Sequence, residues 1–455
     1  MLRNFRLPLA VMVFAVLALA SLPAAAQISS SCTDEGLAFY PLASPLKLLD
    51  TATGAAYYAQ SYPLQPQEQL QARVGGIPSG ARALVARITL SAYRGEWSDA
   101  PNASPTDSSH YPRLRISPSF SVPGTGAGVV RVGSGPARPT EQLVTFPLAS
   151  DGTVVLTADS VFDTRIEVVG YYASPGPGAL YLHLLAKPAY LFSAYEGTSA
   201  ALNTLGRAMA PGESATIQVS GTRSNGPPWY NDPTTYSIPA NARYVLANTL
   251  AYLRWDLSTP AVLQSVLTYE TGTALPQTGI ALSTWDGFTE GAQSLTRVSA
   301  GGTVSLYASA STDIYMLATG YFSPQRENDG NGPGLLFHPR AHAVKGQATL
   351  AVDDYAGPFH VSTYEGDPAA CGVAAAGRLR FIGNGDGNGQ EFSISEPAPD
   401  WRGISGLATA ADTNDEVEFL TRFGSTGGYT LALDTADRSG QTVQFEIDTY
   451  GLFAP

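Results

Sequence analysis

One loop of this 455-residue chain carries side chains that could bind a sugar. The run Trp229-Tyr230-Asn231-Asp232 follows two prolines and is therefore not the interior of a strand. Exposed aromatic faces can stack on sugars, and Asn and Asp side chains can hydrogen-bond to their hydroxyls. The pattern predicts a glycan-binding loop. The alternative is that Trp229 folds back over a hydrophobic core, as large aromatic side chains commonly do.

A second loop has half of a calcium-binding pattern. Asn384, Asp386 and Asn388 supply oxygen ligands at positions one, three and five, and a glycine stands at position six. The twelfth position, where a bidentate acid is required, is Ser395, with Glu396 next to it. Calcium bound by Asn384, Asp386, Asn388 and Glu396 is one hypothesis. The alternative is a Gly/Asn hairpin loop without a metal.

The chain shows no recognisable set of catalytic residues. It lacks a Gly-x-Ser-x-Gly elbow, a His-Glu-x-x-His pair and a phosphate-binding loop. His338 and His342 have the spacing of a helical metal pair, but Pro339 between them argues against a helix. We therefore expect a non-enzymatic protein with no catalytic residues and no cofactor except calcium.

The ends of the chain and its charge suggest an exported protein. Residues 1–26 read as a signal peptide, with Arg3 and Arg6 before an apolar run and three alanines at its end. Removing it leaves 24 basic and 38 acidic residues, which argues against nucleic acid as a partner. No later apolar run is long enough for a membrane helix, so we expect no stable membrane insertion.

Two cysteines, Cys32 and Cys371, remain after removal of the signal peptide. An exported chain meets an oxidising compartment, so a disulfide between them is expected. Unpaired cysteines and a lipid-modified Cys32 are the alternatives, and Ser29-Ser30-Ser31 before Cys32 does not fit a lipidation site.

One sequence motif occurs three times. A strand-like run leads into a glycine and two bulky residues, and the glycines are Gly170, Gly320 and Gly451. Pro/Gly-rich segments separate the repeats, which indicates tandem units. The predicted organisation is a signal peptide (1–26), an N-terminal segment (27–35), three β domains (36–175, 178–324 and 334–455) and a Gly/Asn linker (325–333).

The composition and alternation predict an all-β protein. Glycine and proline interrupt short runs of Val, Leu, Thr and Tyr throughout the chain. Counting back from each glycine in steps of two gives an apolar column, which predicts the inward face of the closing strand. The fold class expected is three tandem β-sandwich or jelly-roll-like domains. Whether they form separate beads or a pseudo-threefold ring stays open.

Several markers together resemble a repeat of exported proteins from Gram-positive and related soil bacteria. That repeat runs Phe-x-Pro-x-x-Pro-x-Arg-Leu-Leu-Asp-Thr-Arg, then Val-Pro-x-Gly-Ala, then Ser-Thr-Asp-Val and a terminal Gly-Tyr-Phe. The matching segments here are Phe39-Tyr-Pro41, Pro45-Leu-Lys-Leu-Leu-Asp-Thr51, Ile77-Pro-Ser-Gly-Ala81, Ser311-Thr-Asp313 and Gly320-Tyr-Phe322. Lys47 and Ala52 stand where the family has arginines. The resemblance implies secreted or surface repeats without catalytic residues.

These observations favour an exported repeat protein with a structural, surface or adhesion role. The alternative is a carbohydrate-binding protein that recognises cell-wall or extracellular glycan. An outer-membrane barrel is disfavoured, because Gly/Pro seams divide the chain into units. Expected partners are a glycan, a cell-envelope component or a second copy of the chain. The expected location is the periplasm or the cell exterior.

Overall fold

The chain folds as an all-β protein in the computed structural model. The structure describes residues 35–54, 62–65, 68–91, 113–118, 129–131, 140–158, 161–194, 203–224, 235–253, 266–275, 289–351, 363–365, 372–382, 390–395, 407–409, 415–422, 428–434 and 442–455. These ranges contain β-strands and no α-helix, as the composition predicted. Accordingly, they hold no helix with the length and apolarity needed to cross a membrane.

The strands fall into three consecutive groups, which we call units 1, 2 and 3. Unit 1 contains β1 (Ala38–Asp50), β2 (Gln69–Arg73), β3 (Ala83–Ser91), β4 (Arg113–Ser117), β5 (Val129–Arg131), β6 (Thr140–Pro147), β7 (Thr153–Ala158) and β8 (Asp163–Ala173). Unit 2 contains β9 (Tyr181–Ala194), β10 (Glu213–Gln218), β11 (Gly221–Ser224), β12 (Thr235–Ile238), β13 (Tyr244–Leu253), β14 (Val266–Glu270), β15 (Thr289–Arg297), β16 (Thr303–Ala308) and β17 (Thr312–Ser323). Unit 3 contains β18 (Leu336–Ala351), β19 (Thr363–Glu365), β20 (Ala374–Ile382), β21 (Gln390–Ser395), β22 (Leu407–Thr409), β23 (Asp415–Arg422), β24 (Gly428–Asp434) and β25 (Thr442–Ala454).

Each unit has one four-stranded antiparallel sheet of the same topology. The strand orders are β1-β8-β3-β6, β9-β17-β13-β15 and β18-β25-β20-β23. In every case the first strand of the unit pairs with the last, and the last pairs with a middle strand. We call this the main sheet. The predicted repeats therefore correspond to repeated strand topology, while the domain bounds themselves stay a prediction.

A second sheet packs against each of the first two main sheets. Unit 1 adds β2-β7-β4-β5, unit 2 adds β10-β16-β14, and unit 3 carries β19-β24-β21-β22. In unit 1, Leu114 and Leu156 from the second sheet share one buried cluster with Ile88 and Ile166 from the main sheet. Two sheets that close over a common apolar layer form a β-sandwich. The expected sandwich architecture is confirmed.

A one-residue bulge follows the same position in all three closing strands. Opposite the middle strand of each unit, the pairing skips Val169, Thr319 or Tyr450, directly before the repeated glycine. A bulge shifts the alternation of side chains by one residue. The column predicted to face the core lies before the bulge, and Val168, Ile166 and Ala318 are indeed fully buried. After the bulge, the second bulky residue of each motif lies on the face of the sheet opposite to that column. These residues are Tyr172, Phe322 and Phe453.

The repeated glycines make room for a side chain from the first strand. A Cβ at Gly170 would lie 2.3 Å from the ring of Phe39, and one at Gly451 would lie 2.0 Å from the ring of Phe337. At Gly320 the obstacles are the backbone oxygen of His183 at 2.7 Å and the side chain of Leu184. The motif requires glycine for this close approach.

Replacing Gly170 with alanine should therefore destabilise the protein. The added methyl group would displace the buried Phe39 ring, and overpacking of this kind costs about 1–3 kcal/mol. The control is Gly80→Ala, because a Cβ at Gly80 meets nothing within 4 Å. Urea unfolding of both variants measures the difference. Equal stability of Gly170→Ala and wild type would show that the Phe39 ring moves aside without cost.

Candidate functional site

The three units are joined by backbone bridges in a closed cycle. Leu37 of unit 1 exchanges two hydrogen bonds of 2.8 Å with Phe337 of unit 3. Phe39 of unit 1 pairs in the same way with Leu180, at 2.8 and 2.9 Å. Leu182 of unit 2 pairs with Leu335 of unit 3, at 2.8 and 3.3 Å. The units therefore meet as a pseudo-threefold ring around their first strands, and not as separate beads.

Aromatic side chains fill the centre of this ring. They come from the first strand of units 1 and 3, from the closing strand of every unit and from β13. The members of this central cluster are Phe39, Tyr172, Tyr244, Phe322, Phe337 and Phe453. The ring centres of Phe39 and Phe322 are 4.8 Å apart, and those of Tyr172 and Phe337 are 4.6 Å apart. Such contacts between units add to the burial of large apolar surfaces.

Unit 2 contributes to the central cluster by a compensating pair of side chains. Leu182 stands opposite Phe322, where Phe39 and Phe337 stand opposite the equivalent residues of units 1 and 3. On the other side of Phe322 lies Tyr244, whereas the other two units have an alanine there. The larger Tyr244 restores the volume that leucine gives up, as close packing requires.

A small cavity lies beside the central cluster and is lined by all three units. Its wall includes three equivalent middle-strand residues, Val85, Leu246 and Ala376, together with the amide of Gln293. The volume is about 20 Å³, which is room for a single water molecule. Gln293 Nε2 also donates to the carbonyl oxygen of Leu420 at 3.3 Å and so links units 2 and 3. The cavity is too small for a substrate.

Two stacked ring pairs occupy equivalent positions in units 1 and 2. Tyr40 pairs with Tyr171, with ring centres 5.3 Å apart and an angle of 11° between the planes. His183 pairs with Tyr321, with centres 5.1 Å apart and an angle of 5°. The Tyr40 hydroxyl donates to the carbonyl oxygen of Ser174 at 2.9 Å. The second pair differs from the first in having a histidine in place of a tyrosine, and this histidine is only 1% exposed.

The 325–333 linker buries this histidine. Eight positions separate Tyr172 from Leu180, whereas thirteen separate Phe322 from Leu335. The longer connection folds over β9 and β17, where His183 Nε2 lies 2.8 Å from the carbonyl oxygen of Gln325. We define the His183 cluster as the stacked pair His183 and Tyr321 together with three polar neighbours, Ser323, Asp329 and Asn331.

Side-chain hydrogen bonds hold the linker in place. The Tyr321 hydroxyl donates to Asp329 Oδ2, and Asn331 Nδ2 donates to the Tyr321 hydroxyl at 2.9 Å. Asn331 Nδ2 also donates to the carbonyl oxygen of Ser237 at 2.8 Å. Burial and the neighbouring Asp329 carboxylate raise the pKa of Tyr321, so its hydroxyl remains a donor. Gly330 and Gly332 have φ values of 104° and 116°, a region that favours glycine.

The His183 cluster brings a serine, a histidine and an aspartate together. Ser323 Oγ lies 3.1 Å from His183 Nε2, and Asp329 Oδ1 lies 3.4 Å from His183 Nδ1. Hydrolytic catalysis requires Nε2 to accept the serine proton. Here the carbonyl oxygen of Gln325 at 2.8 Å requires a proton on Nε2, because a carbonyl oxygen can only accept. Ser323 is also fully buried, so the set is built for packing and not for nucleophilic attack.

A pair of buried carboxylates closes the far end of the main sheet in unit 1. Thr51 Oγ1 donates to Asp163 Oδ1 at 2.9 Å and accepts from the backbone N–H of Thr164 at 2.9 Å. Burial raises the pKa of Asp163, and the neighbouring Asp50 adds to this effect. Burial also acts on Asp50, but hydrogen bonds from Lys47 and Thr53 outweigh it and hold its pKa below the usual value. Through these contacts the two aspartates accept hydrogen bonds where β1 ends and β8 begins.

The predicted ligand-binding residues lie outside the described part of the chain. This applies to the glycan-loop residues Trp229, Tyr230, Asn231 and Asp232, to the calcium residues Asn384, Asp386, Asn388 and Glu396, and to Cys32 and Cys371. The glycan, calcium and disulfide assignments stay predictions. Within the described residues, no group of three or more His, Cys, Asp and Glu side chains could hold a metal ion.

Sequence reasoning did not find the His183 cluster. Its linker carries an Asn-Asp-Gly-Asn-Gly run that is typical of side-chain-supported turns, and Asn328 Oδ1 accepts from the backbone of Gly330 and Gly332. The serine, however, stands 140 positions from the histidine, so no local pattern connects them. The equivalence of His183 with Tyr40 is visible only after the strands are aligned by their pairing.

Comparisons with known proteins give no family for this chain. No protein-family description and no curated protein matches it. Among solved structures, one described as the triple jelly roll fold and turret assembly in an archaeal virus covers 91% of this chain and 96% of its own, at 8% identity and a TM-score of 0.18. Another, from Sulfolobus turreted icosahedral virus, covers 91% of both chains, at 8% identity and a TM-score of 0.17. At these scores we assign nothing to the chain from either structure.

Truncating the central cluster should weaken the whole assembly. Phe337 is fully buried between units 1 and 3, and replacing such a phenylalanine with alanine costs about 3–5 kcal/mol. The control is Leu275→Ala at a side chain that is 45% exposed, where a change within about 0.5 kcal/mol is expected. Chemical denaturation measures both. A loss of less than about 1 kcal/mol in Phe337→Ala would contradict the role given to the cluster.

Proposed function

We propose that this chain is an exported, non-enzymatic repeat protein with a structural, surface or adhesion role, in which three β units act as one rigid body. The observation that carries the proposal is a buried cluster that spans all three units, beside the separate core of unit 2. One buried cluster contains Phe39 of unit 1, Phe322 of unit 2 and Phe453 of unit 3. A domain with its own separate core moves relative to its neighbours by default, whereas a large apolar interface prevents this.

The arrangement of polar groups supports the absence of catalysis in the described residues. The serine–histidine–aspartate set is buried under the linker, and the proton on His183 Nε2 points at a carbonyl oxygen. The paired carboxylates Asp50 and Asp163 are also buried and hydrogen-bonded to Lys47 and Thr51. In both places the polar groups satisfy one another, which is what stability requires of buried polar atoms.

Export to the periplasm or the cell exterior is part of the proposal. It rests on residues 1–26 and explains how a Cys32–Cys371 disulfide would form, with an external disulfide accepting the two electrons and becoming two thiols. Two described residues that follow the cysteines in the sequence, Leu37 and Val373, border one interface. Leu37 pairs with Phe337, and the N–H of Val373 donates to the carbonyl oxygen of Phe453 at 2.7 Å. The Cys32–Cys371 disulfide would tie unit 1 to unit 3, two units that no linker connects directly.

The proposal is tested with the purified mature chain, insoluble polysaccharides and peptidoglycan. We expect no release of soluble sugar or peptide by wild type or by Ser323→Ala. Steady product release by wild type that Ser323→Ala abolishes would overturn the non-enzymatic assignment. Retention on a polysaccharide that is lost in Trp229→Ala would favour the glycan-binding alternative. Thiol labelling of the same preparation, unfolded without reductant, reports whether the disulfide has formed.

A further inference from the structure

Unit 1 meets the other two units through aromatic rings. In the described part of the chain, every ring contact between units involves Phe39 or Tyr172 of unit 1. Both of these side chains are almost fully buried. Their partners on units 2 and 3 form what we call the aromatic recess: Tyr244, Phe322, Phe337 and Phe453. Unit 1 therefore fits into this recess as one apolar block.

Units 2 and 3 are fastened to each other by polar contacts. Arg422 Nη2 donates to the carbonyl oxygen of Leu184 at 3.1 Å. Gln293 Nε2 donates to the carbonyl oxygen of Leu420 at 3.3 Å. The linker between these two units is held by the His183 cluster. Units 2 and 3 therefore form a connected pair, on which unit 1 rests mainly by apolar contacts.

A short exposed linker joins unit 1 to this pair. Residues 174–178 have the sequence Ser-Pro-Gly-Pro-Gly, and all five are exposed. The linker folds back through a turn in which the N–H of Ala179 donates to the carbonyl oxygen of Gly176 at 3.0 Å. The central residues of this turn are Pro177 and Gly178, and Gly178 has a φ of 82°, as type II turns require at that position. Closure of the chain onto its own unit 1 therefore uses a glycine-dependent turn.

The same linker can reach a second copy of the chain when this turn is extended. The segment from Ala173 to Ala179 spans roughly 20 Å when it is fully extended, and proline-rich linkers favour extended conformations. The aromatic recess of a second copy offers unit 1 the contacts that it makes with its own chain. Exchange of an identical element between copies is a low-cost route to a dimer, because every contact is kept and only the hinge changes.

We propose that two copies of this chain exchange unit 1 and form a domain-swapped dimer, with the 174–178 linker as the hinge. Phe39 and Tyr172 of each copy then occupy the aromatic recess of the other. The backbone bridges from Leu37 to Phe337 and from Phe39 to Leu180 run between chains and not within one. The partner is a second copy, because the recess is complementary to unit 1 itself. No linker opposes the exchange at the border of units 1 and 3, since the linker after unit 1 leads to unit 2.

Replacing Gly178 with valine tests the hinge in the full mature chain. A Cβ at Gly178 meets nothing within 4 Å, so valine strains only the turn with its positive φ. The swapped dimer extends both hinges and escapes this strain. We expect the association constant to rise about tenfold for each of the two hinges, which sedimentation equilibrium measures. The chains are refolded with a reductant, so that a Cys32–Cys371 bond does not hold unit 1 on unit 3.

The matched control is Gly212→Val. Gly212 follows Pro211 in a turn of the same kind, with a φ of 76° and a hydrogen bond of 3.1 Å from the N–H of Glu213 to the carbonyl oxygen of Ala210. A Cβ there also meets nothing within 4 Å. This turn lies inside unit 2, so the strain is equal in monomer and dimer, and the association constant should stay that of wild type. An association constant of Gly178→Val no higher than that of Gly212→Val would overturn the proposal.

Cutting the linker distinguishes exchange from ordinary association. A protease recognition sequence is inserted after Ser174, and chains labelled with ¹⁴N and ¹⁵N are mixed, unfolded and refolded together. Cleavage of a swapped dimer should release particles of monomer mass, some of which hold unit 1 of one label and units 2 and 3 of the other by native mass spectrometry. A dimer that keeps its mass after complete cleavage would contradict the exchange. Gly178→Ala replaces Gly178→Val if valine prevents folding, with a smaller expected increase.

Discussion

Contact between a glycine backbone and a side chain of the first strand sets the architecture of this protein. Where Phe39 lies on Gly170 and Phe337 lies on Gly451, the first and last strands of a unit approach closely enough for the sheet to be packed on both faces. One face covers the second sheet of the same unit. The other face, on which the bulge places the residue two positions after each glycine, packs against the neighbouring units. A chain of this length would otherwise divide into independent cores.

The same framework carries different chemistry at equivalent positions. In unit 1 the stacked pair is Tyr40 and Tyr171, beside a short connection. In unit 2 a histidine replaces the first tyrosine, and five additional connecting residues supply the acceptors that its ring needs. Buried polar groups require hydrogen-bond partners, so the buried histidine and the longer linker depend on each other. The repeated units share one backbone topology, and local substitutions change the side chains at each junction.

The sequence contained the repeat, the all-β class and the inward face of the closing strands, because these depend on local alternation and spacing. Val168 and Ala318 are buried as that alternation requires. The sequence did not reveal on which face of the sheet the residues after the glycine lie, because the bulge at Val169 depends on strand pairing and not on one strand alone. The pseudo-threefold ring of units could not be predicted either, because Leu37 and Phe337, which pair between units 1 and 3, are 300 positions apart. The His183 cluster was missed for the same reason.

Because the central cluster contains residues of all three units, we expect the units to unfold together although unit 2 also has a buried cluster of its own. Differential scanning calorimetry of the mature chain tests it most directly. We expect one thermal transition in which the calorimetric and van't Hoff enthalpies agree, and Phe337→Ala should lower the temperature of that transition as a whole. Two or three separate transitions, with Phe337→Ala shifting only one of them, would show that the units unfold as independent domains.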